Sequence, residues 1–166
     1  MVKKIYRLLI YIIEELIPII TLALTVVALI IQVFFRYVLN ISLEWPFELS
    51  IYAFVWTLYL GAAYARREGK HVKLDIIYNR LSPRVQAFFN LIFNIITTWI
   101  FLIILYPVWN YLLFTYRIKT VALKLPWTYV FMVFPIFLVL TIIHNIKFVY
   151  DDILFLIGKK KKEGGI

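Results

Sequence analysis

Four long stretches without a charged side chain constrain this chain more than any other feature of its sequence. They cover residues 16–35, 49–65, 85–116 and 125–146. A helix needs about 20 apolar residues to cross the hydrocarbon core of a bilayer. Only 16% of the residues are charged and 64% are hydrophobic, whereas a water-soluble domain is close to a quarter charged. The sequence therefore predicts an all-α integral membrane protein with four transmembrane helices, at about 16–37, 45–65, 83–116 and 125–146.

Shorter segments flank these spans. Residues 1–15 carry apolar side chains at i, i+3 and i+4 spacing, which predicts an amphipathic helix in the membrane interface; the alternative is an N-terminal extension of the first span. No cleavage site of a signal peptide follows, so we expect this segment to be retained. Residues 147–158 resemble a second amphipathic segment, and 159–166 form a basic tail that we expect to be disordered. One membrane domain over 1–158 is thus predicted.

Lysine and arginine are distributed unequally between the two sides of the predicted bundle. Fourteen of the 18 lie at the N-terminus, between the second and third spans, or at the C-terminus. The positive-inside rule places both termini in the cytoplasm. In a chain this apolar, the net charge of +9 predicts contact with anionic lipid headgroups and not with nucleic acid.

Few side chains in the predicted spans could support chemistry. There are no cysteines, and the two histidines, His71 and His144, lie in a basic loop and at the end of a span, away from the depth of a haem. Asn90 and Asn94 are best explained by hydrogen bonds to a neighbouring helix, although they could line a polar path. We expect no catalytic, substrate-binding or metal site, no cofactor and no enzymatic activity.

The absence of charge in the middle of every span favours a membrane scaffold over a carrier, because carriers of charged solutes normally keep ionisable groups there. Two alternatives stay open. One is a stand-alone small four-helix exporter, and the other is a haem- or quinone-binding membrane anchor of a respiratory enzyme.

One pair of opposite charges lies at the outer rim. Arg36 ends the first span and Glu48 lies one turn inside the second, with a short connection between them. We predict an ion pair between the two side chains; the alternative is that each reaches water between the headgroups.

Several small and aromatic residues predict contacts with other helices. Gly61 and Ala65 form a small-xxx-small pair around Ala62, and Trp56 and Trp99 fall near the membrane midplane, where large aromatics suit a helix interface. The predicted packing and partner interface comprises Trp45, Trp56, Gly61, Ala62, Ala65 and Trp99.

The ordered set of residues from Phe35 to Asp75 resembles the signature region of one family. The set consists of Arg36, Asn40, Trp45, Glu48, Trp56, the run Leu60–Ala63, a cytoplasmic loop motif of Arg66, Arg67, His71 and Asp75, and Gly69. It is similar to the small membrane subunit (DctQ-like, or Q subunit) of the tripartite ATP-independent periplasmic (TRAP) transporters. The chain departs from the family pattern at Phe47, which replaces the first of two acids, and at Pro46.

This resemblance implies a role as the scaffold or anchoring subunit of a sodium-coupled importer of an organic acid, such as a dicarboxylate, sialic acid or sugar acid. It implies two protein partners, a large TRAP permease subunit that carries the substrate and sodium sites and a periplasmic solute-binding protein. It further implies a place in the cytoplasmic (inner) membrane of a bacterium or archaeon. Because the sequence ends in a lysine-rich tail, we expect the chain not to be fused to the large subunit.

Overall fold

The computed structural model describes residues 2–69 and 82–157, with side chains from residue 4 onward. Its elements in chain order are α1 (Val2–Tyr11), a π-helical turn (Ile12–Leu16), α2 (Ile17–Tyr37), α3 (Trp45–Arg67), α4 (Pro83–Thr115), α5 (Trp127–Phe131) and α6 (Val133–Leu156). Within these ranges every element of regular secondary structure is helical, which confirms the all-α class.

Three helical stretches are long and apolar enough to cross a membrane. They are Lys4–Tyr37, Pro83–Thr115 and Trp127–Leu156. The remaining predicted span is present as α3, a helix of 23 residues. Its tyrosines, small residues and terminal arginines make it less apolar than the other three, so its crossing of the membrane stays a prediction.

The N-terminal helices run on without a break through the π-helical turn. The backbone N–H of Ile17 donates to the carbonyl of Ile12, five residues earlier, which is the π-helical pattern. Pro18 follows at once; it has no N–H for the carbonyl of Glu14, and its ring would crowd that carbonyl in a regular α-helix. The predicted boundary at residue 15 therefore coincides with this turn, and a separate interfacial helix stays a prediction.

The chain divides into two compact units. The first comprises Met1–Tyr64 and Trp109–Phe137. Its core is mainly apolar, with Ala28, Ala53, Leu60 and Val130 among its buried residues. It also contains a hydrogen bond of 2.8 Å between the hydroxyls of Thr21 on α2 and Thr57 on α3, of the kind that joins helices inside membranes.

The second unit comprises Ala65–Val108 and Leu138–Ile166. Its buried side chains include a larger share of polar groups, namely Asn94, Thr141, His144 and Asn145 beside Ala87, Leu138 and Leu140. Buried polar groups are normally hydrogen-bonded, and the side-chain oxygens of Asn94 and Asn145 accept hydrogen bonds from Arg66.

Candidate functional site

Glu48 lies in the first turn of α3, which begins at Trp45 and Pro46. Proline suits this place, because the first turn of a helix has no acceptor for its N–H groups. The helix dipole favours a carboxylate near a helix N-terminus. The side chain of Glu48 is half-buried, so its oxygens need hydrogen-bond donors from the protein.

Those donors come from the connection between α4 and α5, which folds as a short hairpin over residues 116–126. Lys119 and Pro126 pair in an antiparallel bridge. Inside that bridge, the N–H of Thr120 donates to the carbonyl of Leu125 at 2.8 Å, and the N–H of Leu125 donates to the Thr120 hydroxyl at 3.0 Å. These bonds fix the arms of the hairpin.

The tip of the hairpin presents two adjacent backbone N–H groups to Glu48. Lys124 takes the left-handed conformation with a φ of 54°, which turns the chain back on itself. The N–H groups of Ala122 and Leu123 both donate to Oε2 of Glu48, each at 2.7 Å. Successive backbone N–H groups form a small cradle for an anion, and here the chain's own carboxylate fills it.

The other carboxylate oxygen, Oε1, accepts the hydroxyl of Tyr52, one helical turn further along α3. We call Glu48, Tyr52 and the tip residues Ala122 and Leu123 the Glu48 clasp. Hydrogen bonds to an ionised acceptor are about twice as strong as neutral ones. The clasp therefore ties the N-terminus of α3 firmly to the hairpin.

Apolar and polar neighbours shield the clasp. Tyr52 is only 8% exposed and Thr120 only 2%. The ring of Trp127 meets the Tyr52 ring edge-on with 5.6 Å between centroids, and it stacks on Phe131 at 5.5 Å. The Thr120 hydroxyl accepts the N–H of Leu125 and lies close enough to Glu48 and Tyr52 to act on both electrostatically. Hydrogen bonds in such surroundings are electrostatically stronger than in water.

The geometry replaces the ion-pair partner that the sequence suggested for Glu48. Among the described residues, both carboxylate oxygens bond to Tyr52 and the hairpin, and not to Arg36. The guanidinium of Arg36 lies over the ring of Tyr37, 5.8 Å from its centroid, and Arg36 is exposed. Two converging backbone donors hold a carboxylate better than one exposed and hydrated cation does.

Trp56 also has a partner within the chain. The helical stretch that begins at Trp127 is interrupted between α5 and α6. Pro135 lies just after this interruption and has no N–H to donate to the carbonyl of residue 131. The indole N–H of Trp56 donates to the carbonyl of Tyr129 in this region, at 3.3 Å. The predicted interface residue thus satisfies its polar atom within the first unit.

A second polar cluster surrounds Arg66 in the second unit. Its Nε donates to Oδ1 of Asn145 at 2.7 Å, and one of its terminal nitrogens donates to Oδ1 of Asn94. The guanidinium also lies 4.9 Å from the centroid of the Phe148 ring, and the charge of Asp152 acts on it. Arg66, Asn94 and Asn145 form the Arg66 cluster, which joins α3, α4 and α6.

The Arg66 cluster revises the predicted loop motif. Arg66 and Arg67 belong to the last turn of α3 and not to a loop, because a helix can continue past the last apolar residue when its charged side chains find partners. Arg67 lies 3.5 Å from the carboxylate of Glu68. His71 and Asp75, the other two residues of that motif, lie outside the described residues. The bond to Arg66 agrees with the preferred interpretation of Asn94.

The remaining predicted interface residues are less enclosed. Gly61, Ala62 and Ala65 are half-buried, and a Cβ atom placed on Gly61 would meet nothing within 4 Å. Trp45 is 39% exposed and Trp99 is 64% exposed. Any partner of these residues must therefore come largely from outside the part of the chain that the structure describes.

Sequence reasoning missed Tyr52, Thr120 and Asn145. Tyr52 had a signal, since it lies four residues after Glu48 and such pairs share a helix face. Asn145 had the weaker signal of an amide in an apolar run. Nothing in the sequence pointed to the backbone donors of Ala122 and Leu123, because every residue except proline carries an N–H.

The two clusters hold helices together and contain no reactive arrangement. Glu48 already accepts three hydrogen bonds from its own chain, and Arg66 donates to two neutral amides. In the part of the chain that the structure describes, no group of three or more His, Cys, Asp or Glu residues could hold a metal ion.

Comparison with known proteins gives a consistent result. Residues 25–155 match the family model described as tripartite ATP-independent periplasmic transporters, DctQ component. The chain is 45% identical over 53 residues to the C4-dicarboxylate TRAP transporter small permease protein DctQ of Rhodobacter capsulatus, covering 32% of this chain and 23% of that protein. It is 35% identical over 78 residues to a protein of Haemophilus influenzae assigned as a TRAP transporter small permease, covering 47% of this chain and 48% of that protein. The matched segments thus span less than half the length of either relative.

Proposed function

The chain belongs to the DctQ component family of the tripartite ATP-independent periplasmic transporters, and from this premise we propose that it is a scaffold subunit that conducts no solute by itself. Membership makes it a small permease subunit of a TRAP transporter and a multi-pass protein of the inner membrane. The proposal concerns how such a subunit contributes to transport.

The observation that carries the proposal is the saturation of Glu48. A carrier that couples solute to an ion normally uses a carboxylate or another ionisable group that can exchange partners within the membrane. Glu48 instead accepts three bonds that fix a hairpin. Glu48 therefore serves the architecture of this chain and not the passage of a solute.

The partners follow from the family. A component of a tripartite transporter implies a large permease subunit and a periplasmic binding protein. We assign the substrate and sodium sites to the large subunit, and to this chain the task of anchoring that subunit in the bilayer. Its excess of positive charge, +9 in all, supports contact with anionic headgroups on the cytoplasmic side.

The proposed cargo is an organic acid. The Rhodobacter capsulatus relative is named for C4-dicarboxylates; sialic acid and sugar acids are the other classes in our proposal. The selective residues would lie on the partners, so the choice among these acids is to be measured on the whole transporter.

Reconstitution tests the proposal. The chain, the large subunit and the binding protein are placed in liposomes in all combinations, and uptake of a labelled C4-dicarboxylate, sialic acid or sugar acid is followed under an inward sodium gradient. We expect uptake only with all three proteins, and none with this chain alone. Uptake by the isolated chain would contradict the scaffold role, and full uptake in its absence would contradict its necessity.

A further inference from the structure

One face of α4 is exposed along a regular stripe. Ile92, Ile96, Trp99, Ile103 and Tyr106 follow one another at alternating spacings of four and three residues, and their side chains are 36% to 76% exposed. In the 18-residue segment of this helix with the highest mean hydropathy, only 6% is buried. A repeat of 3.5 residues is the spacing of a seam along which two helices pack. We call these five residues the α4 stripe.

Two members of the α4 stripe carry a polar group at the end of the side chain, at depths where lipid tails offer no hydrogen-bond partner. Trp99 is the central residue of the helix Pro83–Thr115, and Tyr106 lies about 10 Å further along it. With the helix centred on the bilayer, both residues lie within the hydrocarbon core, which extends about 15 Å on either side of the midplane. Neither the indole N–H nor the phenol hydroxyl bonds to a described residue. An unpaired polar group in hydrocarbon is costly, and Trp and Tyr are normally found at the membrane interfaces.

The exposed face of α2 is different and provides an internal comparison. Every strongly exposed large side chain from Ile19 to Val33 is Leu, Ile or Val. Such a face is satisfied by lipid tails. The contrast indicates that α2 faces lipid and that the α4 stripe faces protein.

A groove adjoins the α4 stripe. It has a volume of about 240 Å³ and lies between α4 and α6, where it is lined by Ile95, Thr98, Trp99, Leu102, Ile146 and Val149. Its lining is almost wholly apolar, so its natural occupant is a large apolar side chain. A ridge on a packed helix would supply such a side chain beside the indole of Trp99.

We propose that the α4 stripe and its groove are the docking surface for one membrane-spanning helix of the large permease subunit. That helix carries hydrogen-bond acceptors opposite Trp99 and Tyr106 and an apolar side chain that enters the groove. The inference rests on the proposed function, which provides the large subunit as the partner.

Site-specific crosslinking tests the docking surface, and the chain suits it because it has no cysteine. The variants Ile103→Cys on the stripe and Ile30→Cys on α2 compare equally exposed isoleucines, 65% and 62%. Each variant is co-expressed with the large subunit, labelled with benzophenone maleimide and irradiated; the cysteine-free chain is the blank. We expect several-fold more crosslinking to the large subunit from position 103 than from position 30.

The outcomes distinguish a failure of the proposed function from a failure of the docking surface alone. If the unmodified chain fails to copurify with the large subunit, the proposed function fails and the docking surface with it. If it copurifies but crosslinks equally from both positions, or mainly from position 30, only the docking surface is wrong.

A second variant tests the indole N–H of Trp99. Trp99→Phe keeps an aromatic ring and removes the N–H, so it should weaken association with the large subunit about 3- to 30-fold, the range for one hydrogen bond between membrane helices. Trp109→Phe is the matched control; this tryptophan is also exposed, 61%, but lies nearer the helix end. Equal effects of the two changes on a titration in detergent would overturn the role of Trp99.

Discussion

The carboxylate of Glu48 accepts two backbone N–H groups and one phenol, and its neutralisation should loosen all three bonds. In Glu48→Gln the amide retains one oxygen but turns an NH2 group toward one set of donors. We expect a loss of about 1.5–3 kcal/mol in the free energy of unfolding, the range for hydrogen bonds to a charged group. Thermal unfolding of the purified chain in detergent measures it.

Two controls make the test of Glu48 specific. Glu44→Gln removes an exposed carboxylate just before α3 and should change stability by less than about 0.5 kcal/mol. In double-mutant cycles, Glu48→Gln should couple with Tyr52→Phe and be additive with Arg36→Gln. Coupling with Arg36 and none with Tyr52 would restore the ion pair first inferred from the sequence.

Arg66 provides a second test at the scale of single residues. Lysine keeps the charge but cannot reach Asn94 and Asn145 with two donors of a planar fork. Arg66→Lys should therefore destabilise the chain by about 1–3 kcal/mol, because it leaves a buried amide oxygen without its donor. Arg84→Lys, at an exposed position in the first turn of α4, should have almost no effect. Equal melting temperatures for both variants would argue against the Arg66 cluster.

The residues at which sequence reasoning succeeded and failed have a common physical explanation. Glu48 stood out because a carboxylate beside an apolar run must find a partner. Its actual donors belong to Ala122 and Leu123, and a backbone N–H becomes special only through the turn that exposes it. Arg66 was noticed for its place in a motif, but its bonds depend on how α4 and α6 fold beside it.

At the scale of helices, Gly61 offers a prediction about contacts outside the chain. A Cβ on Gly61 meets nothing within 4 Å, so Gly61→Leu should leave the thermal unfolding of the isolated chain nearly unchanged. If another helix approaches this face closely, the same change should sharply lower the yield of the complex with the large subunit. Copurification measures it, with Ala23→Leu on α2 as the matched change. Equal yields for the two variants would remove the argument for close packing at Gly61.

The helix ends show which elements a sequence specifies. The spans predicted at about 45–65 and 83–116 start at the same residues as the helices Trp45–Arg67 and Pro83–Thr115 and end within two residues of them. The starts were predictable because proline and the loss of charge mark them. The last span was predicted to end at residue 146, yet α6 continues to Leu156. Charge marks where a helix leaves the lipid and not where it stops. The interruption between α5 and α6 was missed because a proline in a membrane helix does not reveal whether it bends the helix or breaks it.

At the scale of the whole molecule, the distribution of charge predicts the orientation. Lys124 on the hairpin and Lys147 on α6 are both exposed and serve as matched positions. In intact spheroplasts, a membrane-impermeant maleimide should label the Lys124→Cys variant at once and the Lys147→Cys variant only after the membrane is opened. The reverse pattern would invert the topology and place the Glu48 clasp on the cytoplasmic side.

The Glu48 clasp also has a consequence for how the chain is made. The tip residue Ala122 follows Glu48 by 74 residues, so the carboxylate leaves the ribosome long before its donors exist. At roughly 5–20 residues per second, that interval is about 4 to 15 seconds. During this time the carboxylate of a newly inserted α3 has no donors from the hairpin, so it must stay in contact with water or headgroups. Glu48 therefore first holds the N-terminus of α3 at the membrane surface and only later bonds it to the hairpin.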